Sequence, residues 1–215
     1  MGVIAVVDYG MGNLRSVTKA LEHVAEGQRV RLTSDPAVVA AAGRVVFPGQ
    51  GAARDCMRAL DEHGLRGAVL ASAEDRPFLG ICMGLQVLLE HSEENQGTAC
   101  LGKYPGEVRY FGEDLHDPRT GERLKIPHMG WNQVHQLRSH PLWRGIPDQS
   151  RFYFVHSYYV DPAEADLTVG STLYGHEFTS ALARANVFAV QFHPEKSAAN
   201  GLRLLENFAH WDGGP

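Results

Sequence analysis

Apolar and polar positions along the chain follow two different rhythms. Val3–Val7 is a short apolar run that stops at Asp8-Tyr9-Gly10, and residues 14–24 then carry apolar side chains at helical spacing. The alternation repeats with a strand at Arg29–Leu32 and a short alanine-rich helix. Asp35 supplies that helix with an N-cap and Pro36 with a preset first position. A third strand at Arg44–Phe47, helical stretches at 53–60 and 65–71, a fourth strand at Pro77–Ile81 and a helix at Leu85–Glu90 follow. Strands that alternate with helices in this way predict βαβ units and a parallel sheet.

The second half changes rhythm. From Glu107 to Gln136 the segments are short and polar, with turns at Gly112, Pro118 and Gly121, a pattern expected of antiparallel hairpins. Arg151–Val155, Leu167–Thr172, Ser180–Arg184 and Val187–Gln191 read as further strands, and a last helix spans Ala198–His210. With no linker, repeat or low-complexity stretch, the expectation is one α/β domain over 1–215. Its central, mostly parallel sheet is flanked by helices and carries an antiparallel extension.

Composition narrows the function classes. The net charge is -5, acidic and basic residues are interspersed, and no basic cluster suggests a nucleic-acid footprint. Glu93-Glu94 reads as a solvated helix end. The three cysteines, Cys56, Cys82 and Cys100, form no CxxC pair, which argues against a disulfide framework and for a reducing compartment. No apolar run approaches the ~18–20 residues of a membrane span, and the N-terminal run lacks a basic leader. The expectation is a soluble, cytoplasmic protein that does not engage membranes or nucleic acid. The histidines show no metal-ligand spacing, and no metal or organic cofactor is indicated.

The candidate chemistry sits in Pro77-Phe78-Leu79-Gly80-Ile81-Cys82-Met83-Gly84-Leu85-Gln86. G-x-C-x-G at a strand-to-helix junction is the thiol version of a nucleophile elbow. Its glycines permit a sharp turn that presents Cys82, and a helix N-terminus favours an anion there. The backbone N–H of the next residue, Met83, is placed to meet a developing oxyanion. Cys56, on a helix, and Cys100, in a loop, lack such a setting and read as structural thiols.

A thiol nucleophile needs a base, and the base needs an orienting partner. Gln191-Phe192-His193-Pro194-Glu195-Lys196 offers both at the end of a strand, where open α/β sheets place their chemistry. On an extended segment His193 and Glu195 point the same way, so the carboxylate is expected to reach the imidazole. Of the eleven histidines, only His193 has this setting. His128, His135 and His156 lie in or beside aromatic, turn-bounded segments without an assigned role.

These motifs together resemble the triad class of glutamine amidotransferases, whose pattern is G-x-C-x-G-x-Q followed near the C-terminus by F-H-P-E. The resemblance covers essentially the whole chain. It implies a class I amidotransferase fold, a Cys82–His193–Glu195 triad and a role for Gln86 in holding glutamine. It also implies an oxyanion loop at Gly49, Gln50 and Gly51, although the family often has an apolar residue where Gln50 stands. Asp8-Tyr9-Gly10-Met11-Gly12-Asn13-Leu14-Arg15-Ser16, Pro127-His128-Met129-Gly130-Trp131-Asn132 and Tyr153-Phe154-Val155-His156-Ser157-Tyr158 are similar to signatures of the histidine-pathway glutaminase subunits.

That branch implies L-glutamine as substrate, with Ser157 and Tyr158 as candidates for gripping its α-amino and carboxylate groups. It also implies a heterodimer with the cyclase subunit of imidazole glycerol phosphate synthase, a (β/α)8 barrel that receives the ammonia through a channel. Asn13, Trp131, Tyr153 and Lys196 are the candidates for the partner-facing surface. Three alternatives stay open: an amidotransferase serving another synthase, a Cys-His hydrolase on the same sheet, and a non-catalytic subunit on a degenerate fold. Substrate profiling separates the hydrolase, and thiol trapping by glutamine analogues separates the non-catalytic subunit.

Overall fold

The computed structural model describes residues 2–214. The first half runs β1 (Val3–Val7), α1 (Leu14–Val24), β2 (Arg29–Thr33), α2 (Pro36–Ala41), β3 (Arg44–Gly49), α3 (Ala53–Glu62), α4 (Arg66–Asp75), β4 (Phe78–Cys82) and α5 (Met83–Gln86). The second half adds β5 (His91–Ser92), β6 (Thr98–Ala99), β7 (Gly106–Tyr110), β8 (His128–Gln136), β9 (Ser150–His156), β10 (Tyr158–Pro162), β11 (Thr168–Tyr174), β12 (His176–Arg184), β13 (Val187–Val190) and α6 (Ala198–His210). The predicted spans of α1 and α6 coincide with the observed ones. Asp35 caps α2 through a side-chain bond from the Ala37 N–H, 2.8 Å.

The sheet order is β2-β1-β3-β4-β13-β12-β10-β7-β5-β6, and β2, β1, β3, β4 and β13 run parallel. From β12 onward the pairing is antiparallel except between β7 and β5, and β11, β8 and β9 extend the structure off β12. The mixed α/β class and the mostly parallel centre therefore agree with the apolar rhythm of the first half.

Two apolar cores lie on the two faces of the parallel strands, as period-two alternation requires. Ala5, Val7, Val45, Phe47 and Phe78 face one core with α2, α3 and α4, while Ile4, Val6, Val46, Leu79, Phe188 and Val190 face the other with α1 and α6. Leu14, Val17 and Leu21 form the buried stripe of α1. Fully burying an aliphatic or aromatic side chain of this size contributes about 1.5–3 kcal/mol. Among the described residues no helix is long and apolar enough to cross a membrane.

Two expectations need correction. The helix expected at Leu85–Glu90 is one turn at Met83–Gln86. The Leu88 and Leu89 N–H groups close tighter i−3 bonds to the Leu85 and Gln86 carbonyls at 3.1 and 3.2 Å, and the Glu90 N–H leaves the helix for the Gly106 carbonyl at 3.3 Å. Of the hairpins expected between Glu107 and Gln136, only a short one at the Pro118–Gly121 turn forms locally among the described residues, closed by the Leu124 N–H on the Leu115 carbonyl at 2.7 Å. β7 pairs with β10, fifty residues on, and β8 pairs with β9. Between β7 and β8 the chain is a loop with one bridge, His116 to Arg123, held by packing of Phe111, Leu115 and Ile126 on the core.

Candidate active site

Three neighbouring parallel strands deliver the candidate residues to one edge. Gly49 ends β3, Cys82 ends β4, and His193 follows β13 by three residues. Gly49 lies opposite Cys82 in register, and β13 lies on the other side of β4. Sheet topology thus joins segments more than a hundred residues apart.

Cys82 occupies the elbow. Its φ of 55° and ψ of -106° lie where a side chain is strained at a cost of order 1–3 kcal/mol. The turn closes because Gly84 carries no side chain: a Cβ there would overlap the carbonyl oxygen of Phe47 on β3. Gly49 has the same property, since a Cβ would overlap the Tyr9 hydroxyl and crowd Met83. Elbow and loop are therefore packed against each other by backbone. Cys82 is 7% exposed and Met83 4%. Both line a cavity of about 400 Å³ together with Gln50, Gly51, Gln86, Ser157 and Tyr158, which is in the range of small-molecule sites.

His193 and Glu195 form the second part. Nδ1 of His193 lies 2.9 Å from Oε1 of Glu195, with the two side chains 2% and 1% exposed. The contact arises differently from the extended geometry expected. Pro194–Lys196 is a turn of 3₁₀ helix, and Ser197 locks it by donating to the His193 carbonyl at 2.6 Å while accepting from the Tyr153 N–H at 2.9 Å. Phe192, stacked on Phe152 at 4.1 Å, anchors the segment below.

Nε2 of His193 is buried and has no hydrogen-bond partner among the described residues. Burial opposes charge on the ring. The neighbouring Cys82 sulfur and the Glu195 carboxylate outweigh it and push the imidazole pKa up to about 10. The raised proton affinity comes from the adjacent Cys82 sulfur and from the hydrogen bond and charge of the Glu195 carboxylate. Cys56 and Cys100 behave oppositely: burial pushes their pKa values up to about 12 and about 11, which keeps both as inert thiols.

Gln86 lines the cavity, with its NH2 bonded within the protein. Its Nε2 donates to the Tyr158 carbonyl at 3.0 Å and to Oε1 of Gln191 at 3.1 Å. Both N–H donors are committed, which leaves the amide oxygen for a ligand. The Ser157 carbonyl accepts from the Phe111 N–H at 3.2 Å, and Tyr158 pairs with Tyr110 across β10 and β7.

Trp131, Tyr153 and Lys196 form one row beside the cavity. Trp131 and Tyr153 are cross-strand partners with ring centroids 6.1 Å apart, and Lys196 Nζ lies 5.9 Å from the Tyr153 ring. Trp131 is 49% exposed and Met129, two residues earlier, is 62% exposed. Asn13 lies apart from that row and lines a crevice with Gly49, Gln50, His193 and Glu195. It holds the N-cap position of α1 without a side-chain bond to the helix backbone, and its Oδ1 accepts from the Ser16 hydroxyl at 2.8 Å.

Sequence reasoning missed four residues near the cavity. Glu94 is no solvated helix end: its carboxylate accepts from the Ala53 N–H at 2.8 Å, and the residue lines the cavity. His128 and His156 form a buried pair, Nδ1 to Nε2 at 2.9 Å. Nδ1 of His156 faces the Tyr158 carbonyl at 2.8 Å, so it is the donor there and its Nε2 accepts from His128. Burial lowers their pKa values to about 4 and about 3, so both are neutral at pH 7. The fourth, Gln191, is fully buried beside Cys82. Each depends on a partner remote in sequence, which no local pattern reveals. Among the described residues no cluster of His, Cys, Asp or Glu could hold a metal ion.

Comparison with known proteins agrees with this geometry. The family model for glutamine amidotransferase class-I matches residues 5–211. Imidazole glycerol phosphate synthase subunit HisH of Dechloromonas aromatica is 65% identical, over 97% of this chain and 96% of that protein. The HisH subunit of Thiobacillus denitrificans is 63% identical, over 98% and 92%. A crystal structure of a glutamine amidotransferase superposes with a TM-score of 0.69 at 16% identity, covering 96% of this chain and 97% of that one, which speaks for the fold. With its elbow and its His–Glu pair on adjacent strands and its full-length similarity to HisH subunits, this chain belongs to the class-I glutamine amidotransferase family.

Proposed function

We propose that this chain is the glutaminase subunit of imidazole glycerol phosphate synthase, hydrolysing L-glutamine to glutamate and ammonia for histidine biosynthesis in the cytoplasm. The observation that carries the reading is the strained Cys82 elbow beside the buried His193–Glu195 pair, opening on one cavity. The names of the full-length relatives add the assembly it serves.

The Cys82 sulfur attacks the carboxamide carbon of glutamine while His193 carries the proton as imidazolium. Glu195 holds the ring and balances its charge. The oxyanion meets the Met83 N–H and a donor from Gly49, Gln50 and Gly51, a type of interaction whose loss costs on the order of 10²–10³ in rate. His193 then protonates the departing nitrogen, ammonia leaves, and a glutamyl thioester remains. Water, deprotonated by His193, adds to the thioester, and glutamate is released as the sulfur regains its electron pair.

Gln86, through its free amide oxygen, and the backbone of Ser157 and Tyr158 line the part of the cavity that takes the amino-acid end of the substrate. Glu94 is the carboxylate of the cavity lining and is suited to the α-ammonium group. Replacing it with glutamine should raise KM for glutamine about tenfold, the scale of one charge-assisted hydrogen bond. In steady-state kinetics kcat should stay within a few-fold, and a lower kcat at constant KM would count against this placement.

Free ammonia would escape into water, so hydrolysis is best coupled to a partner that consumes it. The row of exposed Met129 and Trp131 beside half-buried Tyr153 and Lys196 is suited to a partner surface, since Trp, Tyr and Met are enriched at interfaces. Asn13, across the Gly49–Gly51 loop, places a second contact where a partner could act on that loop. The occupant proposed is the (β/α)8-barrel cyclase subunit.

Glutamate formation should be weak in the isolated chain and rise on the order of tenfold or more with the cyclase subunit and its nucleotide substrate. Equal activity with and without that subunit would keep a glutaminase and discard the assembly. Absence of glutamate under every condition would discard both.

A further inference from the structure

The buried amide of Gln191 points at the nucleophile. Gln191 follows β13 and continues its ladder through N–H to the Ser180 carbonyl, 2.9 Å. It is fully buried, and its Nε2 lies 3.7 Å from Cys82 Sγ, within hydrogen-bond range for sulfur.

The direction of that amide is dictated by its neighbours. The Tyr158 carbonyl can only accept, so the group of Gln86 facing it must be the NH2. The second hydrogen of that NH2 meets Gln191 3.1 Å away, so the atom of Gln191 there must be its oxygen. The nitrogen of Gln191 is thereby turned to the sulfur. A backbone carbonyl on β10 thus sets, through two glutamines, a donor aimed at Cys82.

We propose that Gln191 is a further catalytic residue of this site, its side-chain N–H holding the Cys82 sulfur and stabilising negative charge on it. This rests on the glutaminase reading. When sulfur forms its bond to carbon, its electron pair is shared and the contact weakens. When water has added and the C–S bond breaks, the pair returns to sulfur, and the N–H stabilises the departing thiolate. His193 handles the protons throughout, and Gln191 gives up none. It differs from the oxyanion donors because it acts on the nucleophile atom and not on the carbonyl oxygen.

The test uses Gln191→Met and Gln191→Leu, two apolar side chains of similar volume that lack the donor. Two quantities are measured: glutamate formation in the complex with the cyclase subunit, and the pH profile of Cys82 alkylation by iodoacetamide. Loss of one hydrogen bond to a charged atom should lower kcat about 10–100-fold and move the alkylation profile about 1–2 pH units upward, because the thiolate loses its donor. KM for glutamine should change less than about threefold. A merely structural residue would lower the thermal midpoint and leave the alkylation profile in place. An unmoved profile in either folded variant overturns the proposal, whatever happens to kcat. If the wild-type chain makes no Cys82-dependent glutamate, the glutaminase reading fails, while the alkylation comparison still decides whether Gln191 holds the sulfur.

Discussion

Cys82→Ala is expected to lower glutamate formation about 10⁴-fold or more, because removing a nucleophile leaves only binding and oxyanion stabilisation. The fold should survive, since Cys82 ends a buried strand whose packing is carried by its neighbours. The same position carries a second expectation. A non-glycine residue at φ 55°, ψ -106° is strained, and glycine adopts such angles freely. Cys82→Gly should therefore be more stable than Cys82→Ala by about 1–2 kcal/mol, with both inactive. Glutamate release in the activated complex and chemical denaturation of both variants measure the two effects. An alanine variant that retains turnover would remove the thiol from the mechanism. A glycine variant no more stable than alanine would show that the elbow is unstrained.

Glu195→Gln is expected to lower kcat by about 10³–10⁴-fold at neutral pH. The substitution keeps the shape but turns an NH2 toward Nδ1 of His193, which must then accept. The proton is forced to Nε2, the atom that has to take protons during the reaction. The folding consequence has a definite sign. The His193 pKa of about 10 lies above its ordinary 6.5, so the paired imidazolium stabilises the fold fully below about pH 6.5. That contribution is lost as pH rises toward 10. The stability gap between wild type and Glu195→Gln should be widest below about pH 6.5 and should narrow in alkaline solution. Thermal unfolding of both proteins across that range checks it. A gap that widened with pH would mean that the carboxylate does not hold a charged imidazole.

Both expectations begin with residues legible in the chain. Gly80, Cys82, Gly84 and the Phe192-His193-Pro194-Glu195 run stand out because elbow and base segment are each contiguous. Glu94 was misread because its role depends on capping α3, forty-one residues earlier. His128 and His156 face one another only through the β8–β9 pairing. Gln191, four residues from Glu195, was visible as a letter but not as a contact. Its partners are Gln86 and Cys82 on another strand and turn.

The antiparallel half shows the same division. Turn residues between Glu107 and Gln136 suggested local hairpins, yet β7 finds its partner in β10. Short polar strands carry too little alternation to specify a register, so burial of Val108 and Val160 in the core decides it.

By itself the sequence determined the βαβ rhythm of the first half, the cap of α2, the spans of α1 and α6, and the candidate residues of elbow and base. These are written in residues that neighbour one another, and local sterics, periodicity and capping act at that range. Only the tertiary structure decided that β3, β4 and β13 lie side by side, and which way the amides of Gln86 and Gln191 point. Those properties come from hydrogen bonds and packing between segments far apart in the chain, where a donor's direction is set by the acceptor that folding brings to it.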